Sequence, residues 1–104
     1  MAHVTLVKKI RADGTPCRKC RQVLALIERD GLARTIDRIV VADERDPASE
    51  GMRLARRYRV AQAPFFVVES EDGVQVHTVY FRLRRQLIAR LQLVNVRSDN
   101  AMRR

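Results

Sequence analysis

The chain reads as an α/β domain built on a mixed four-stranded sheet, and three observations lead there. Short β-branched or alternating runs take turns with stretches whose apolar residues recur every three or four positions. A helical crossover between the first two strands makes that pair parallel. A tight turn at Glu71-Asp72-Gly73 folds the last two strands into an antiparallel hairpin. The element order is β-α-β-α-β-β-α, with helices packed on the sheet.

The first strand spans His3 to Ile10, where Val4, Leu6 and Ile10 alternate imperfectly with Thr5, Lys8 and Lys9. Ala12-Asp13-Gly14-Thr15-Pro16 is turn chemistry. A helix starting at Thr15 or Cys17 then runs to about Arg29, with Cys20, Val23, Leu24 and Ile27 on one face and Asp30-Gly31 as its stop. Ile36 to Ala42 is β-branched and apolar, hence a largely buried second strand. Asp46 as cap and Pro47 in the first turn open a second helix, whose inward face carries Gly51 or Met52, Leu54, Ala55 and Tyr58. Pro64 to Glu69 is the third strand and Val74 to Phe81 the fourth. A last helix, from about Arg82 to Val94, aligns Leu83, Leu87, Leu91 and Val94. Residues 1–97 form one domain and residues 98–104 a disordered tail.

Composition narrows the function classes. A chain of 104 residues with 46% apolar content supports one core, and no internal repeat or low-complexity segment interrupts it. No apolar run is long enough to span a membrane. The N-terminus lacks the charged, apolar and small-residue regions of a leader, so a cytoplasmic location is expected. The net charge of +9 predicts attraction to acidic proteins, nucleic acid or anionic surfaces without identifying which. From Arg82 onward six further arginines (Arg84, Arg85, Arg90, Arg97, Arg103 and Arg104) face a single carboxylate, Asp99, which reads as a solvated basic helix and tail. Aromatic residues are scarce and tryptophan is absent, so the stacking platforms of nucleic-acid readers are missing, and nucleic acid is a poor candidate partner.

The only two cysteines are Cys17 and Cys20, in Pro16-Cys17-Arg18-Lys19-Cys20 at a helix start. Thiols at this spacing can close into a disulfide with little backbone motion. Free N–H groups and the helix dipole favour a thiolate at the first sulfur, and Arg18 and Lys19 add positive charge that tunes it. In a reducing compartment such a pair is catalytic or metal-binding more often than structural. Zinc wants four ligands, and His3 and His77 are not spaced as partners, so no metal site is assigned within one chain. Two chains sharing zinc or an iron–sulfur cluster remain an alternative.

The element order with Cys-x-x-Cys opening the first helix resembles the thioredoxin-like superfamily of thioredoxins and glutaredoxins. A second segment, Tyr58-Arg59-Val60-Ala61-Gln62-Ala63-Pro64-Phe65-Phe66-Val67-Val68, is similar to the family's loop that leads through a cis-proline into the third strand. The resemblance implies a thiol–disulfide oxidoreductase acting on a protein disulfide. Cys17 would attack, Cys20 would resolve, and Ala63 and Pro64 would meet the substrate backbone. It implies no cofactor beyond the redox-active disulfide, with a reductase or glutathione as electron donor; the positive charge of Arg18 and Lys19 beside the cysteines points to an acidic surface on the substrate protein. The chain departs from the family in its Cys-Arg-Lys-Cys signature, in having Asp13 in a loop where thioredoxins bury an aspartate, and in Tyr80-Phe81-Arg82-Leu83-Arg84 where glutaredoxins carry a Gly-Gly segment. The alternative is a non-catalytic thioredoxin-like interaction module with a basic docking surface.

Overall fold

A computed structural model describes the backbone of residues 2–102 and the side chains of residues 2–93. Strand β1 (His3–Ile10) leads into helix α1 (Arg18–Arg29), a 3-10 turn (Ala33–Thr35) and strand β2 (Arg38–Asp43). Helix α2 (Glu50–Arg57), strands β3 (Phe65–Ser70) and β4 (Gly73–His77), and helix α3 (Tyr80–Met102) complete the chain. The sheet order is β2-β1-β3-β4, with β1 and β2 parallel and the other two pairs antiparallel. The protein is thus α/β, with a mixed four-stranded sheet and three helices.

Alternation along the strands divides two cores. Val4, Leu6, Phe66 and Val68 face α1 and α3, meeting Val23, Ile27, Tyr80, Leu83 and Leu87. Val7, Val40, Ala42, Phe65 and Val67 face α2, meeting Met52, Ala55 and Tyr58. Because β3 is internal and both faces are covered, its first four residues are all buried, giving the apolar run seen in the sequence. Gly51 is what lets α2 lie close to β2: a Cβ there would sit 2.6 Å from Ala42 Cα and closer still to the Val41–Ala42 peptide.

Several boundaries differ from the sequence reading. The second strand begins at Arg38, not Ile36, because the N–H groups of Thr35 and Ile36 close the 3-10 turn on Leu32 and Ala33. Helix α2 begins at Glu50, not near Asp46: the Asp46 carboxylate accepts from Ala48 N, making a local turn that delays helix entry. Strand β4 ends at His77, not Phe81. Tyr80 instead opens α3, its ring against Phe66 and its hydroxyl donating to Asp30 at 2.7 Å. Helix α3 continues past Val94 to Met102, through residues 98–102 of the stretch assigned to a tail, since neither proline nor glycine interrupts it. Residues 103–104 of that tail lie outside the described residues.

The basic last helix is less free than its charge suggests. Arg84 donates to Asp30 at 2.9 Å, and Arg90 binds the Asp37 carboxylate at 2.8 Å and the carbonyls of Ala2 and Thr35. Two of its arginines therefore fasten α3 to the end of α1 and to the start of the sheet.

Candidate functional site

Helix α1 starts where β1 ends, and the backbone of Lys9 joins the two. Its carbonyl accepts from Cys17 N at 3.2 Å, while its N–H donates to Cys20 Sγ at 3.4 Å. A bridge between Ile10 and Pro16 holds the intervening loop, together with hydrogen bonds from Arg11 N to Thr15 O at 2.9 Å and from Gly14 N to Arg11 O at 2.8 Å. Cys17 is the N-cap of α1, in an extended conformation, and its sulfur accepts a hydrogen bond from Cys20 N at 3.3 Å. A sulfur does here what a serine or aspartate oxygen does at other helix starts, so an N–H dipole points at it.

The two thiols sit in contrasting surroundings. Cys17 is partly exposed, whereas Cys20 is 3% exposed. Burial pushes the Cys20 thiol up, to about 11, reinforced by its hydrogen bond with Cys17; the Lys9 N–H and ammonium act in the opposite sense. No carboxylate is among the groups acting on it. Asp13, the one candidate from the sequence, is exposed and accepts from Thr15 N and Oγ1, which holds its carboxyl below the usual range.

Across from Cys17 lies the loop that connects α2 to β3. The Ala63–Pro64 peptide is cis, and the Ala63 carbonyl lies 4.0 Å from Cys17 Sγ, accepting from the thiol. Lys9 Nζ reaches the same loop, donating to Ala61 O at 3.4 Å. A depression of about 330 Å³ opens beside Cys17, bounded by Lys9, Arg11, Arg18, Lys19, Glu44 and Ala63. Arg18 and Lys19 are both exposed at this rim.

The structure therefore gathers Cys17, Cys20, Arg18, Lys19 and Ala63, with Pro64 following in the facing loop. It adds residues that the sequence reading passed over. Lys9 looked like the polar side of a strand; only the fold shows that its backbone grips both cysteines. Arg56 and Arg59, to which the sequence assigned no role, line a second groove that shares Lys9, Glu44 and Ala63 with the first. The basic run Arg53 to Arg59, just before the proline loop, was the available signal.

Other candidates are set apart. His77 contacts Gln75 at 3.2 Å on β4, and among the described residues no three His, Cys, Asp or Glu side chains cluster as metal ligands. Among the described residues no helix is long and apolar enough to cross a membrane.

No protein-family model matches the chain, and no curated protein matches its sequence.

Proposed function

We propose that the chain is a thioredoxin-like thiol–disulfide oxidoreductase in which Cys17 attacks and Cys20 resolves. The observation that carries this reading is the asymmetry of the pair: a partly exposed sulfur capped by an N–H at a helix start, and a buried thiol one turn deeper. The sheet order, the helix on one face opened by the cysteines, and the Ala63 carbonyl opposite Cys17 support the family resemblance.

The chemistry balances in two exchanges. The Cys17 thiolate attacks one sulfur of a protein disulfide, forming a mixed disulfide and releasing the other sulfur as a thiolate. Cys20, on losing its proton, attacks Cys17 Sγ, closing the Cys17–Cys20 disulfide and expelling the second substrate sulfur. Two electrons pass to the substrate, and the protons of Cys17 and Cys20 end on its thiols. A dithiol reductase or glutathione restores the pair. A cytoplasmic setting belongs to this reading, because a reducing compartment keeps such a pair available.

The test is trapping. With a disulfide-bonded protein substrate, Cys20→Ser accumulates a mixed disulfide at Cys17, Cys17→Ser forms none, and the unmodified protein turns over with dithiothreitol. Partner binding that survives replacement of both cysteines by serine, together with no turnover by the unmodified protein, would favour the interaction module.

A further inference from the structure

The groove beside the cysteine site carries a backbone feature that its sequence does not favour. Helix α2 ends in a paired motif, with Val60 N bonded to Ala55 O and Arg59 N to Arg56 O. Helix α1 ends in the same way, with Leu32 N on Ile27 O and Gly31 N on Glu28 O. The left-handed residue of that motif is glycine in α1, at φ +69°, but arginine in α2, at φ +55°. An L side chain is disfavoured there, and arginine offers no local hydrogen bond that would compensate as asparagine does. Arg59 is exposed, and its side chain lines a groove of about 310 Å³. The floor of that groove includes Met52, Val60 and Phe65, and its rim includes Lys9, Arg56 and Arg59. Among the described residues Glu44 is the one carboxylate in its lining, accepting from Ala12 N at 3.2 Å.

Resting on the redox reading above, we propose that this groove selects the substrate: it takes an apolar side chain next to the disulfide, and its cationic rim takes the carboxylates flanking that side chain. The occupant is an acidic segment of the substrate protein. Charge complementarity carries the assignment. The groove shares Lys9, Glu44 and Ala63 with the Cys17 depression, which adds Arg11, Arg18 and Lys19, so a chain whose disulfide lies at Cys17 runs past cations on both sides that outnumber the Glu44 carboxylate. The geometry makes Arg59 a specificity residue whose side chain outweighs its backbone cost.

Two peptide disulfides test this, identical except that the apolar residue beside the disulfide is flanked by glutamates in one and lysines in the other. The neutral bis(2-hydroxyethyl) disulfide serves as reference. The glutamate peptide is expected to be reduced with a kcat/KM about ten-fold higher than the lysine peptide, the preference shrinking with salt. Arg59→Gly should lower that preference several-fold while its thermal midpoint holds or rises, since glycine relieves the left-handed strain. Arg34→Ser, which removes the same charge from an exposed site on the 3-10 turn, should leave the preference in place. Equal rates for the two peptides, or a preference that Arg34→Ser erodes as much as Arg59→Gly, would overturn the proposal. Should no disulfide be reduced at all, the redox reading fails, and the groove is still tested by binding. The variant with both cysteines replaced by serine should bind a cysteine-free glutamate peptide more tightly than the lysine peptide, and equal binding would overturn the groove assignment.

Discussion

Cys17 and Cys20 differ in environment more than in position, and that difference is measurable one residue at a time. Burial and the hydrogen bond to Cys17 keep the Cys20 thiol protonated near neutral pH. Brief alkylation at pH 7 followed by peptide mapping should therefore label Cys17 first, with Cys20 reacting only on unfolding or at strongly alkaline pH; first labelling of Cys20 would reverse the assigned roles. Lys9 matters at this scale through its backbone, so Lys9→Ala should preserve the contacts to Cys17 N and Cys20 Sγ while removing the ammonium that reaches Ala61. The motif was legible in the sequence because its chemistry is local: two residues separate the cysteines, and a turn before them and a helix after them fix their geometry. The grip of Lys9 on the pair was not, because it comes from where β1 ends relative to α1.

At the scale of elements, the helix contacts decide what can change. Gly51 is the point at which α2 touches the β2 backbone, and Gly51→Ala must push the helix away, since the obstruction is main chain. The expected cost is about 1–3 kcal/mol, read from urea denaturation, as for other overpacked contacts. Because Met52 and Arg56 on the same helix line the groove, the displacement should also reshape it. Strand β1 was readable at its observed bounds, and β3, read as Pro64 to Glu69 and found at Phe65–Ser70, to within one residue, because each is an apolar-rich run followed by turn residues. The start of α2, the end of β4 and the length of α3 were not. A side-chain turn at Asp46 delays one helix, and Tyr80 is drawn inward by Asp30, fifty residues away in the chain. The arginines of α3 misled for the same reason: Arg84 and Arg90 find their carboxylates 54 and 53 residues away, a separation no local pattern reveals.

Across the whole molecule, a few ionisable groups set the pH range of stability. Hydrogen bonds from Tyr80 and Arg84 hold Asp30 at about 2, below its ordinary 3.8. Its contribution is complete above pH 4 and is lost as the pH falls toward 2. Burial would raise the Asp37 carboxyl, but hydrogen bonds from Arg90 and Val4 N outweigh it, so Asp37 acts in the same direction. At the other end, burial raises the Cys20 thiol to about 11 and, together with the hydrogen bond to Asp30, the Tyr80 hydroxyl to about 12. Those contributions are complete below about pH 9 and vanish as the pH rises through these values. The thermal midpoint should thus be highest between about pH 4 and 9, and Asp30→Asn should flatten the acid limb; an acid limb unchanged in that variant would remove Asp30 from the account. The start of α1, the proline loop and the end of α2 meet around the Cys17 depression and the adjoining groove. The central claim, that Cys17 and Cys20 exchange electrons as a pair, is tested most directly by equilibrating the protein with graded dithiothreitol or glutathione buffers and counting free thiols. The account predicts one reversible two-electron transition, lost when either cysteine is replaced by serine. A pair that stays reduced across the whole range, or that closes only between separate chains, would contradict it.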